Sequence, residues 1–226
     1  MMKQIPYGLT DFGRIQKENY YYVDKTMFIE KIEMQPSYLF LIRPDASGNI
    51  NEVEESFRMH CCGKLSDFVY RYEHLLGKNI WKVLDEKTKE EPGAFLSAIN
   101  TYATRKGDIK IYLLIDEYDN FTNTILSTYG MDLYRKAMHG EGYIRRFFNV
   151  IKAATTGMGS AVNRLFITGV SPVTMDDVTS GFNIGTNITN DPWFNDLVGF
   201  SEKELREMLA YYKEQGVLPM SIDDTV

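Results

Sequence analysis

The stretch Ile109–Asn120, which reads IKIYLLIDEYDN, decides the fold. Five of the six residues in Ile111–Asp116 are apolar, and a short continuous apolar run is typical of a strand buried on both faces of a sheet. We therefore predict that it forms a central strand of a parallel sheet. Three carboxylates follow closely, Asp116, Glu117 and Asp119, at the edge where open α/β sheets bind their ligands.

Two interpretations of these acids stay open. In the first, the strand is a Walker B element of a P-loop NTPase. One acid at the strand tip then holds Mg²⁺, as Asp116 would, and the following glutamate polarises the attacking water, as Glu117 would. In the second, the acids only begin a loop and cap the next helix. A hydrophobic run that ends in Asp-Glu is a weak pattern, so it does not choose between the two.

Two further apolar runs predict strands of the same sheet. Ser37–Arg43 (SYLFLIR) is followed by Pro44, and Arg164–Val170 (RLFITGV) is followed by Ser171-Pro172. Between the strands, apolar residues recur at helical spacing. We predict helices near 25–32, 52–77, 80–89, 92–102 and 143–154, and a loop and a helix over 120–129 and 131–138. Strands that alternate with helices predict an α/β fold, with a parallel sheet flanked by helices.

A polar residue at the end of Arg164–Val170 is a second candidate for chemistry. Next to a Walker B strand, such a residue contacts the γ-phosphate and the attacking water, and Thr168 or Ser171 suits that role. Local explanations stay open for both, because Thr is an ordinary strand residue and Ser-Pro is an ordinary turn.

The phosphate-binding loop of a P-loop protein is missing from this sequence. That loop follows directly after a strand and has the pattern G-x-x-x-x-G-K-[ST], whose backbone N–H groups and lysine hold the phosphates. The pattern occurs nowhere in the 226 residues. After the strand that ends at Arg43, the chain instead reads PDASGNINEVEESF.

Composition narrows the range of partners. The chain has 44% hydrophobic residues and a net charge of −6, so it can bury a core but has no general attraction to nucleic acid or to an anionic membrane. No apolar segment approaches the roughly 20 residues of a membrane span. We expect a cytoplasmic protein with neither a membrane nor a nucleic acid as partner.

The two cysteines, Cys61 and Cys62, are neighbours. Adjacent cysteines cannot build a disulfide framework, which agrees with a reducing compartment. His60 beside them suggests a metal, but a closed zinc site needs four ligands and no further histidine has the required spacing. We therefore predict buried or half-buried thiols on a helix.

Several segments in combination resemble the bacterial AAA-ATPase-like family, whose members are P-loop proteins that usually carry a PD-(D/E)XK nuclease-like domain at the C-terminus. The segments are IPYGLTDF (5–12), NYYYVDKT (19–26), YLFLIRP (38–44), IYLLIDEYDNF (111–121), LFITGVSPVTMDDVTSGFNI (165–184), TNIT (186–189) and LVGFSEKELREML (197–209). They are spread over nearly the whole chain.

The resemblance implies ATP and Mg²⁺ as cofactors and hydrolysis of ATP to ADP and phosphate. It assigns Asp116 to the metal, Glu117 and Thr168 to catalysis, and Arg43, at the end of its strand, to cofactor binding.

The sequence also departs from the family. Members continue from Arg-Pro into a loop of the R-R-F-G-K-S type, a helix and a further strand, whereas this chain passes directly from Pro44 to Asp45. We predict an internally truncated AAA-ATPase-like domain over residues 1–200, with the Walker A segment missing between 44 and 45. Residues 201–226 then begin a truncated helical region, where Ser201 and Glu204 form a capping box.

Three hypotheses about function follow. The first is a domain of NTPase ancestry that has lost tight ATP binding and acts as an interaction module, with Tyr20, Tyr21 and Tyr22 as docking residues. The second is an active ATPase, which requires the missing block from elsewhere. The third is a metal-dependent nuclease or phosphatase that uses the three carboxylates Asp116, Glu117 and Asp119, although the lysine of an E-x-K pattern is absent.

Loss of a central strand and its helix is expected to expose apolar surface on three residues of the sheet, Leu39, Leu41 and Leu113. Such exposure favours aggregation or a homo-oligomer.

Overall fold

The computed structural model of the chain describes residues 2–7, 9, 11–42, 53–157, 159–169, 185–218 and 221–223. These residues form a helix-rich α/β structure with two compact units. The first unit combines Met1–Gln35 with Asn190–Val226, and the second is Pro36–Thr189. The predicted start of a truncated helical region at residue 201 stays a prediction.

The second unit contains a parallel sheet. Its strands are β1 (Tyr38–Ile42), β2 (Ile111–Ile115), β3 (Val162–Gly169) and β4 (Thr186–Asn187), in the spatial order β2-β3-β1-β4. All three pairings are parallel, as strands joined by helical connections require. The prediction of an α/β fold with a parallel sheet is therefore confirmed.

The helices of the second unit follow the predicted periodicity, with shifts at their ends, except that residues 120–129, predicted as a loop, form a helix. They are α3 (Val53–Arg71), α4 (Glu73–Leu76), α5 (Ile80–Val83), α6 (Glu86–Lys89), α7 (Pro92–Lys106), α8 (Asn120–Tyr129), α9 (Met131–Met138) and α10 (Tyr143–Thr156). The helix predicted over 80–89 is two short helices, because Asp85 caps a new start by accepting a hydrogen bond from the Thr88 N–H. Within the described part of the chain, no helix is both long enough and apolar enough to cross a membrane.

One face of the sheet carries the core. The side chains of Leu113, Ile115, Leu165 and Ile167 pack in a cluster with residues of α3 and of α7 to α10. A second cluster joins α3, α4, α5 and α7 to the start of β2 and β3. This packing holds β2 against β3, with a one-residue shift in register between Ile111, which lies opposite Val162, and Tyr112, which lies opposite Arg164.

The expectation of a central strand is wrong for the sheet that the described residues form, because β2 is its outermost strand. Only the odd-numbered side chains of β2 meet the helices, whereas Tyr112 and Leu114 are 41% and 67% exposed. The expected set of exposed residues is also wrong: Leu39 is buried and Leu113 packs between both clusters. The Leu41 side chain lies outside the described part.

The first unit contains α1 (Phe12–Lys17), α2 (Phe28–Glu33), a 3₁₀ turn (Pro192–Phe194) and α11 (Glu202–Glu214). The predicted capping box at Ser201 and Glu204 is confirmed. The ring of Tyr21, one of the three predicted docking residues, packs 5.8 Å and 5.9 Å, between centroids, from the rings of Tyr211 and Tyr212 on α11.

Lys25 forms a bidentate ion pair within the first unit. Its Nζ donates to both carboxylate oxygens of Glu204, at 2.6 and 2.8 Å, and both side chains are about one-fifth exposed. The Lys25 ammonium, followed by the Ser201 backbone N–H, lowers the pKa of Glu204 to about 2. Lys25 therefore fixes the segment before α2 to the first turn of α11.

We expect the substitution Lys25→Met to destabilise the first unit at pH 7 and to have less effect at pH 3. Because the pKa of Glu204 is lowered on folding, the pair stabilises the native state above the ordinary glutamate pKa of 4.5, and this contribution is lost as the pH falls toward 2. Thermal unfolding followed by circular dichroism at both pH values measures the difference. Lys203→Met is the matched control, because Lys203 is 85% exposed and lies 3.9 Å from Glu207, so its ion pair contributes little.

Candidate functional site

The carboxyl ends of three neighbouring strands meet at one edge of the sheet. Ile115 at the end of β2 lies opposite Ile167 of β3, and Thr168 of β3 lies opposite Leu41 of β1. Asp116, the residue after β2, is therefore level with Thr168. The chain that leaves β1 starts from the same edge, but Arg43, the 44–45 junction and Ser171 lie outside the described residues.

The hydroxyl of Thr168 joins the two acids that follow β2. It donates a hydrogen bond to Asp116 Oδ1, and it accepts one from the backbone N–H of Glu117 at 3.3 Å. The Thr168 carbonyl oxygen also accepts from the Tyr118 N–H at 3.0 Å. The structure thus brings Thr168 together with Asp116 and Glu117, which lie 52 and 51 positions before it along the chain.

Glu117 has a left-handed backbone with φ of +51°. This conformation costs a residue with a side chain about 1–2 kcal/mol. The hydrogen bonds from Glu117 and Tyr118 to Thr168 hold the chain in this turn. Strain of this kind is often found at functional sites. Here the turn lies between the exposed acids Asp116 and Glu117 and the buried residues that follow them.

Asp119 is fully buried and belongs to the start of α8. Its Oδ2 accepts a hydrogen bond from Asn123 Nδ2 at 3.2 Å, and its carbonyl oxygen accepts one from Thr122 Oγ1 at 2.7 Å. In the part of the chain that the structure describes, no three His, Cys, Asp or Glu side chains are grouped so that they could hold a metal ion. The three-carboxylate cluster of the nuclease hypothesis is therefore not formed there.

Gly169 is a residue of this site that sequence reasoning missed. It ends β3, and a Cβ placed on it would overlap the ring of Tyr118 and lie 2.9 Å from Asp119 Oδ1. The absence of a side chain lets the turn after β2 pack directly on the end of β3. The available signal was a glycine at the end of a strand, which marks a close approach of another segment.

A pocket of about 190 Å³ opens beside the acids. Most of its lining is apolar, from Phe57 and Leu65 of α3, from β2, and from Phe147 and Phe148 of α10, while His60, Lys64, Asp116 and Glu117 supply polar groups. This volume is below the roughly 300 Å³ at which small-molecule pockets usually begin. The pocket therefore has room for a small group rather than for a whole nucleotide.

The cysteines are half-buried free thiols on α3, as predicted. Burial, with a smaller effect of the neighbouring Cys62, raises the pKa of Cys61 to about 12. Its thiol is therefore protonated at neutral pH, and a protonated thiol is neither a nucleophile nor a metal ligand.

Comparison with known proteins gives one family and one distant relative. The family model described as predicted AAA-ATPase matches residues 6–49 and 45–179. An "Uncharacterized protein in vnfD 5'region" from Azotobacter chroococcum mcd 1 is 24% identical over 241 residues, which cover 92% of this chain. The chain spans 45% of the length of that curated relative. No solved structure matches.

Proposed function

We propose that this chain, which belongs to the predicted AAA-ATPase family, has the residues of an ATPase site that hold the metal ion and the attacking water. It lacks the residues that bind the phosphates. The observation that carries this proposal is the hydrogen-bonded group of Asp116, Glu117 and Thr168 at the common end of β2 and β3. The chain is then a domain of P-loop NTPase ancestry that does not bind ATP tightly by itself.

The donor set at this edge fits Mg²⁺. This ion prefers oxygen ligands and is usually held by one or two carboxylates, with water and substrate phosphates in the remaining positions. Asp116 is exposed and offers one carboxylate, which Thr168 orients through a hydrogen bond to Oδ1. In a complete site, Asp116 would hold the ion of Mg-ATP, Glu117 would polarise the attacking water, and Thr168 would face the γ-phosphate.

The missing element is the one that binds the triphosphate. Backbone N–H groups and the lysine of a phosphate loop carry most of the attraction to the phosphates, and no such pattern exists in the sequence. Two acids without these donors repel a polyanion.

Calorimetric titration with Mg-ATP tests the proposal. We expect no binding stronger than on the order of 100 µM, because the interactions that remain are those of a metal ion with one or two exposed carboxylates. Low-micromolar binding would contradict the proposal. The double variant Asp116→Asn, Glu117→Gln is the control, since any weak signal that survives in it does not involve the acids.

An active ATPase is the second candidate, and it requires the missing block from elsewhere. The alignment with the Azotobacter relative is 241 residues long, which exceeds the 226 residues of this chain. The relative therefore has residues within the aligned region that this chain lacks. If another polypeptide supplies such a block, the wild-type chain with that polypeptide releases phosphate from ATP and the double variant does not.

The proposal also covers the partners and the compartment of the protein. A net charge of −6 argues against nucleic acid as a partner of this domain. Half-buried free cysteines suit a reducing compartment, so we place the protein in the cytoplasm.

A further inference from the structure

We propose that two copies of this chain pair through the outer edge of β2, in antiparallel orientation, with Lys110 of each copy opposite Asp116 of the other. The inference does not require the site to bind ATP, although it gives Asp116 a contact besides the one with the metal ion. It concerns the strand that ends at the site and the charges on either side of it.

β2 is the outermost strand of the sheet formed by the described residues. The Ile111 N–H donates to Ala161 O at 2.7 Å, next to β3. The register shift after Ile111 adds a residue to β3 and none to β2, so the alternation along β2 continues: odd-numbered residues direct their backbone groups toward β3 and even-numbered residues direct theirs to the outer edge.

The outer edge of β2 is not protected by its composition. Charged residues and prolines usually keep an edge strand from pairing with another chain, and the strand IYLLI contains neither. Leu114 is 67% exposed. Its face also carries Phe166 and Leu39 at the same register level, and exposure along this apolar row rises from buried Leu39 to exposed Leu114.

Two copies of β2 that pair edge to edge are related by a two-fold axis, which makes the two strands antiparallel. With the axis at Leu113, Lys110 faces Asp116 and Tyr112 faces Leu114, each contact occurring twice and all on one face of the sheet. Opposite charges and apolar pairs directly across from each other both stabilise a strand pair.

Neighbouring registers are worse. With the axis at Tyr112, Asp116 faces Asp108, and like charges that face each other destabilise a pair. With the axis at Leu114, Lys110 faces Tyr118, which is buried. The sequence therefore favours one register, and the strand complements itself in charge. This self-complementarity identifies the occupant of the edge as a second copy of the chain.

Sedimentation velocity of the full chain over a range of concentrations tests the proposal. A pair of five-residue strands is a small interface, so we expect a reversible dimer with a dissociation constant on the order of 10 µM. Lys110→Glu and Asp116→Lys are each expected to raise that constant about tenfold or more, because each substitution turns both opposite-charge pairs into like-charge pairs.

Mixing the two variants is the decisive arm. A Lys110→Glu chain and an Asp116→Lys chain together restore both opposite-charge pairs, so the mixture is expected to dimerise as the wild type does. Lys78→Glu, the same charge change at an exposed lysine outside β2, is expected to leave dimerisation unchanged. Circular dichroism of each variant verifies that it is folded.

Three results would overturn the proposal. A wild-type chain that sediments as a monomer at every concentration has no such interface. Variants that each dimerise as well as the wild type use a different surface. A mixture of folded variants that dimerises no better than either variant alone shows that Lys110 and Asp116 do not face each other.

Discussion

Insertion of a phosphate-loop block between Pro44 and Asp45 is expected to raise the affinity of the chain for Mg-ATP about 100-fold or more. The block is the loop, helix and strand that the family resemblance implies after the Arg-Pro at this position. Its backbone N–H groups and lysine would add several charge-assisted hydrogen bonds to phosphate, each worth about 1.5–3 kcal/mol. Two of these already correspond to about a hundredfold in the dissociation constant.

The geometry of the sheet explains why the block would complete a site. Leu41 of β1 is level with Thr168 of β3, and Thr168 is bonded to Asp116, so a loop that follows β1 starts beside the acids. Calorimetric titration with Mg-ATP measures the gain. The same block with its phosphate-loop lysine changed to alanine is the control for binding, and Asp116→Asn in the grafted chain is the control for hydrolysis. An unchanged affinity in a folded graft would contradict the ancestry that we propose.

The sequence predicted the part of this site that depends on strand ends. Apolar runs gave all three long strands, and parallel strands place their carboxyl ends at one edge, so Asp116 and Thr168 could be expected near each other although they are 52 positions apart. Helices with clear periodicity were also predicted, including α9 with the observed boundaries, whereas the residues of α8 were predicted as a loop.

The parts that were not predicted depend on packing between distant segments. An apolar run such as Ile111–Ile115 looks the same in a central strand and in an outer strand, because the sequence of a strand does not state how many neighbours it has. The role of Lys25 was also hidden, since its partner Glu204 lies 179 positions away. Nothing in the local pattern around Glu117 indicated its left-handed backbone, because this conformation is favoured in Gly, Asn and Asp and is imposed here by contacts with β3.

Gly169→Ala is expected to destabilise the second unit by about 3 kcal/mol or more. The added methyl group would overlap the ring of Tyr118 and lie 2.9 Å from Asp119 Oδ1, and both of these residues are buried. The neighbours cannot move away freely, because the Tyr118 N–H is bonded to Thr168 O and Asp119 is bonded to Asn123. Overpacking of a buried site of this kind typically costs about 1–3 kcal/mol, and more where backbone must shift.

Urea unfolding followed by circular dichroism measures this effect, and Gly63→Ala is the matched control. Gly63 lies on α3, and a Cβ there meets no atom within 4 Å, so the same substitution is expected to stabilise the helix by about 0.5–1 kcal/mol. Opposite signs for the two variants would show that the space at the end of β3, and not glycine replacement itself, sets the outcome. In a Tyr118→Ala background the penalty of Gly169→Ala should fall, because the ring that the methyl group meets is gone. If the penalty stays the same in that background, the turn that carries Asp116 and Glu117 does not pack on β3 through Tyr118.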